Sequence, residues 1–220
     1  MIAIYIITNG DKDRKQRISS QLDGYDFSFI SPPPQSELKE ENHSFLSRQL
    51  SFKSRGLSVG QFAAWKAHYM VWEKIRDSMK PALIIEDNAL IHEKFDLSLL
   101  KREIINYGVI SFSETGMREV SGSPFIKRKG FLPLYSYGVS PYFADMLVNR
   151  ANKNGFSIQV DTWLTKPKLC GTHSFCSNFV ISSRTPRFIL DSIAQKDIPK
   201  KSNNLYYAFL RWKNKRKYLK

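Results

Sequence analysis

Glu86, Asp87 and Asn88 follow directly on Ala82-Leu83-Ile84-Ile85, a short apolar run opened by Pro81. Two carboxylates and an amide side by side are hard oxygen ligands, suited to Mg²⁺ or Mn²⁺, and such a cation can neutralise a diphosphate. The apolar run reads as a strand buried on both faces, and in an open α/β sheet ligands sit beyond the carboxyl ends of the strands. That is where these acids fall. Taken alone, the same three residues also fit the start of a solvated turn.

A second group with chemical potential lies at the N-terminus. Ile2 to Ile7 is almost wholly apolar and reads as another buried strand, broken by Thr8-Asn9-Gly10-Asp11 and followed by a helix over Asp13–Leu22 that carries Arg14, Lys15 and Arg17. Strand, polar loop and basic helix start make a nucleotide pocket possible, although a solvated helix face explains the arginines as well. There is no Gly-x-Gly-x-x-Gly and no Gly-Lys-Ser/Thr, so neither a dinucleotide site nor a P-loop is indicated. The third candidate is His68. It sits in a helical pattern over Gln61–Met79, N-capped by Ser58, and shares a face with Trp65 and Trp72.

The elements that must position these residues alternate. Further strands are expected at Tyr25–Ile30, Val109–Phe112, Tyr135–Val139, Ser157–Asp161 and Phe179–Ile181, and further helices at Leu97–Ile105 and Pro141–Asn152. Gln35–Gly56 reads as a polar surface excursion and Val120–Leu134 as a loop or hairpin. Strands alternating with helices argue for an α/β fold, a mostly parallel central sheet flanked by helices. The 220 residues suffice for one domain, taken as 1–200, with 201–220 as a basic, aromatic tail.

Composition narrows the function classes. A hydrophobic content of 42% supports a packed core, and the formal charge of +14 calls for an anionic partner. No apolar run is long enough to span a bilayer and the N-terminus lacks a signal-peptide pattern, so a cytoplasmic protein is expected. Cys170 and Cys176 match no common zinc spacing and are read as reduced thiols. The tail combines Tyr206, Tyr207, Phe209 and Trp212 with Arg211, Lys213, Lys215, Arg216, Lys217 and Lys220, a pattern suited to an anionic membrane surface. Nucleic acid is the competing partner, but no recognised module is present and a strand ending in acids repels phosphates, so none is expected.

Three blocks in order resemble glycosyltransferase family 25, the bacterial lipopolysaccharide and lipooligosaccharide glycosyltransferases. They are the first strand with Asp13-Arg14-Lys15-Gln16-Arg17, then Leu57-Ser58-Val59-Gly60-Gln61-Phe62 through His68 and Trp72, then Leu83-Ile84-Ile85-Glu86-Asp87-Asn88. The second aligns without a gap to the family's Leu-Ser/Thr-x-Gly-Glu-Ile-Gly-Cys-x-x-Ser-His-x-x-x-Trp block, and the third is similar to its apolar strand followed by Glu-Asp-Asp. Gly138 to Leu147 with Val160-Asp161 is a weaker fourth match. The resemblance implies a GT-A-like nucleotide-sugar-binding fold, a UDP-sugar donor, most often UDP-galactose, and a lipid-linked oligosaccharide acceptor at the inner face of the inner membrane.

It also implies roles. Thr8, Asn9, Arg14, Gly60, Gln61, His68, Glu86 and Asp87 would bind the donor, and Asp87 and Asn88 would hold a divalent cation, Mn²⁺ or Mg²⁺. An inverting transfer needs a general base for the acceptor hydroxyl, for which Asp161 and Glu114 are the candidates, Asp161 preferred. The chain departs from the family in carrying Asn88 for an aspartate, Gln61 for a glutamate, and Ala63, Ala64 and Ala67 for Gly, Cys and Ser. A member that binds donor or acceptor with little turnover is the alternative these departures raise.

Overall fold

The computed structural model describes residues 1–34, 36–38, 59–92, 95–113, 134–154, 159–177 and 180–184. Its centre is a six-stranded sheet of β1 (Ala3–Ile7), β2 (Ser28–Ile30), β3 (Ala82–Glu86), β5 (Val109–Ser111), β6 (Ser136–Val139) and β7 (Phe175–Cys176), in the order β2-β1-β3-β6-β5-β7. β1 pairs in parallel with both β2 and β3, and β5 with β7, while β6 runs antiparallel to both its neighbours. The sheet is therefore mostly parallel. A separate hairpin-like pair joins β4 (Ala89–Ile91) to β8 (Ser182–Arg184).

Side-chain alternation along the strands divides the core into two layers. Leu83 and Ile85 of β3, with Ile4 and Ile6 of β1, face a layer built on Ile18 of α1 (Lys12–Gln21) and on Leu100 and Ile104 of α3 (Leu97–Tyr107). Ala82 and Ile84 face the other side, against α2 (Val59–Ser78) and α4 (Pro141–Asn154). The strands of β3 are apolar without a break because helices cover both faces. Asp11 caps α1 by accepting from the Arg14 N–H at 3.1 Å, and Asp96 caps α3 by accepting from Ser98 and Leu99. Helix α3 crosses β6 so closely that a Cβ on Gly138 would lie 2.1 Å from Ile104 Cγ1.

Several expectations are corrected. Residues 159–164 are not strand: Val160–Leu164 is a short helix, α5, followed by α6 (Pro167–Cys170). Val160, Trp163 and Leu164 bury one helical face, and that tertiary demand overrides the β-branched local sequence. Val180 and Ile181 lie before β8 rather than in a strand, and β2 begins at Ser28, not Tyr25. β4 and β7 were not foreseen. Both cysteines are buried and neither is in a disulfide among the described residues. The Ser58 cap, Glu114, Phe179, the tail and nearly all of the excursion over Gln35–Gly56 and of the stretch over Val120–Leu134 lie outside the described residues.

Candidate functional site at the carboxyl end of the parallel strands

β1 and β3 end side by side, with Ile7 opposite Glu86. The Asp87 N–H donates to the Ile7 carbonyl at 2.9 Å, which turns the chain after Glu86 and folds the Asp87 side chain under the loop Thr8-Asn9-Gly10. There the carboxylate takes the Asn9 N–H on Oδ2 at 3.2 Å and the Arg14 guanidinium on Oδ1 at 3.4 Å, and the Thr8 hydroxyl donates to it. Thr8 Oγ1 in turn accepts the Gly10 N–H at 3.1 Å. Arg17 donates to the Asp87 carbonyl at 2.9 Å. Asp87 is 5% exposed, and burial pushes its carboxyl above the ordinary range against the pull of Thr8, Arg14 and Asn9. Thr8, Asn9, Arg14 and Asp87 are thus brought together, and the basic start of α1 is tied to the end of β3 rather than solvated.

Glu86, the last residue of β3, leans the other way. Its carboxylate lies 3.6 Å from Nε2 of His68, and its side chain keeps 27% of its exposure, whereas His68 is fully buried. The His68 Nδ1 meets the Tyr137 hydroxyl at 2.8 Å, and Trp72 Nε1 donates to the same hydroxyl at 3.1 Å. Asp161 stands in the first turn of α5, where it takes the Thr162 N–H at 2.6 Å. Burial raises its pKa most, Thr162 pulls it back, and the Glu86 charge adds to the rise while His68 opposes it. Asp161 reaches this place because Trp163 packs edge-on against Trp65, with centroids 5.0 Å apart, and stacks on Trp72 at 5.9 Å.

Gly60 and Gln61 occupy the first turn of α2, about 12 Å along the helix axis from His68 for Gly60. Asn88 follows Asp87 in the turn to β4, half-buried. Sequence reading missed Tyr137 and Trp72 as members of this site. Their signal was present, since a tyrosine in a buried strand and an indole on the His68 face both need partners for polar atoms.

The oxygen donors of Glu86, Asp87 and Asn88 suit a hard cation, but among the described residues no three His, Cys, Asp or Glu side chains gather as a metal site. Asp87 also already receives Arg14. A cation would fit here only with most of its ligands supplied by a diphosphate and water, which is the habit of Mg²⁺ at nucleotide sites. What the arrangement offers chemically is the Arg14 and Arg17 guanidiniums held at Asp87 and, near Glu86, the partly desolvated Asp161 carboxylate.

Comparison with known proteins gives a family and a weak structural likeness. Residues 1–199 match the model of glycosyltransferase family 25 (LPS biosynthesis protein). A solved structure titled as a glycosyltransferase involved in the glycosylation of the major capsid of PBCV-1 is similar at 11% identity and a TM-score of 0.43, over 84% of this chain and 93% of that one. No curated protein matches.

Proposed function

The chain belongs to glycosyltransferase family 25, and from that premise we propose that it transfers a hexose, most simply galactose, from a UDP-sugar to a saccharide of the lipopolysaccharide or lipooligosaccharide core. The observation that best supports this reading is the joining of Asp87 to Thr8, Asn9 and Arg14 at the ends of β1 and β3, opposite Asp161 and His68. Thr8, Asn9, Arg14, Glu86 and His68 bind the donor, with Gly60 and Gln61 further along α2. The acceptor hydroxyl attacks the anomeric carbon as the bond to the diphosphate oxygen breaks. Asp161 takes the proton, and configuration inverts.

A divalent cation, Mn²⁺ or Mg²⁺, belongs to the proposal, held by Asp87 and Asn88 together with the diphosphate. When bound it supplies charge stabilisation to the leaving UDP. Arg14 adds fixed positive charge at the same strand end. UDP release from UDP-sugars with a core-oligosaccharide acceptor, with and without Mn²⁺, tests the reading directly, and release is expected to depend on both acceptor and metal. Asp87→Asn is expected to weaken Mn²⁺-dependent UDP binding by about tenfold or more. Unchanged binding would remove Asp87 from the metal site. UDP binding with no release would favour the alternative of a binding protein, the reading raised by Asn88 and Gln61.

A further inference from the structure

We propose that Tyr137 and Trp72 are positioning residues that lock His68 in the tautomer protonated on Nε2 and so aim one N–H at Glu86. The three side chains are fully buried, so their polar atoms must find partners in the protein rather than in water. An indole N–H only donates, so the 3.1 Å contact from Trp72 occupies a lone pair of the Tyr137 oxygen. Among the described residues the tyrosine proton then has one acceptor in reach, Nδ1 of His68 at 2.8 Å. Were Nδ1 to carry a proton, the tyrosine would accept twice and its own buried O–H would be orphaned, at the full desolvation cost of a donor. Nδ1 therefore accepts. In a neutral ring the proton sits on Nε2.

Burial raises the Tyr137 pKa well above its usual value, Trp72 opposes this and the Glu86 charge adds to it, so the hydroxyl keeps the proton it donates. Among the described residues Nε2 makes no hydrogen bond, and the Glu86 carboxylate lies 3.6 Å from it. That separation exceeds a formed hydrogen bond but lies within a side-chain adjustment of one. In the other tautomer a lone pair would face the carboxylate and repel it. The Trp72-Tyr137-His68 chain thus fixes on which side of the strand end Glu86 is held. This role rests on Glu86 contacting the donor, as proposed above, whereas the tautomer follows from the hydrogen bonds alone.

Nitrogen-15 spectra of the histidine rings in the full chain read the tautomer without any variant. The chain has 4 histidines, and His68→Gln identifies the signal of interest. The expected result is a single form with Nε2 protonated and Nδ1 unprotonated. A proton on Nδ1, on both nitrogens, or averaging between the two overturns the lock. Tyr137→Phe removes the donor to Nδ1 and should admit the second tautomer, whereas Trp72→Phe leaves that donor in place and should keep the single form. UDP affinity should fall about tenfold in Tyr137→Phe, the scale of one lost hydrogen bond to a charged group. Altered tautomers with unchanged UDP affinity would overturn the positioning role. A wild-type chain that binds UDP but releases none from any UDP-sugar would defeat the transferase reading and leave the lock and the positioning role standing.

Discussion

Asp161 carries opposing demands within one side chain. In its proposed role as general base Asp161 gains strength from a raised pKa, and burial followed by the Glu86 charge raises it. The same rise is a cost to the fold. A carboxyl whose folded pKa exceeds its unfolded value contributes stability below the ordinary carboxylate range, and that contribution is lost as pH climbs through the folded pKa. At neutral pH the charged Asp161 is therefore a liability. Asp161→Asn should raise the Tm at pH 7, and the gain should shrink as pH falls toward the ordinary carboxylate range. The same variant should lower kcat by about 10²- to 10⁴-fold, the usual contribution of a general base. In wild type the acid limb of the pH–rate profile should lie above the ordinary carboxylate range, and Glu86→Gln should move it down by removing a like charge. A variant with lower activity and an unshifted Tm would mean that Asp161 is not held charged against burial.

Among the elements, α2 and α5 matter most to the site because they set Asp161 and His68 about Glu86. Their junction is the edge-on and stacked cluster of Trp65, Trp72 and Trp163, all fully buried. Trp163→Ala should cost about 3–5 kcal/mol of stability, measured by urea unfolding, and should lower kcat further than its loss of folded protein accounts for. A full kcat per folded molecule would show that α5 needs no such anchor. Half of this junction was legible in the sequence: Trp65, His68 and Trp72 recur at helical spacing, and a long amphipathic helix announces its face. β3 was equally legible, because a strand covered on both sides is apolar without alternation. α5 was not. Five residues give too little periodicity, and Val160 favours extended chain until Trp163 finds its partners across the core. The pairing of Arg14 with Asp87 was also hidden, since residues 73 apart meet only through the parallel register of β1 and β3.

At the scale of the whole molecule the excess of positive charge has to be reconciled with a site that ends in acids. Within the site the balance is local, since Arg14 and Arg17 both bind Asp87. The remaining charge is concentrated in part beyond it, where Arg211, Lys213, Lys215, Arg216, Lys217 and Lys220 crowd the last ten residues. The family match ends at residue 199, before this segment begins. None of the described helices is long and apolar enough to cross a membrane. For the proposed lipid-linked acceptor the proposed membrane contact is the tail, with each basic residue near anionic headgroups adding about 1 kcal/mol and the aromatics lying at headgroup depth. Removing residues 205–220 should abolish cosedimentation with vesicles rich in anionic phospholipid while leaving the Tm and UDP affinity of the remainder unchanged. Binding by the full chain should weaken steeply with added salt, because exposed charges are screened over about 8 Å at physiological ionic strength. Vesicle binding that survives the deletion would place the membrane contact on the folded domain instead, and a fall in UDP affinity would show that the tail takes part in the site.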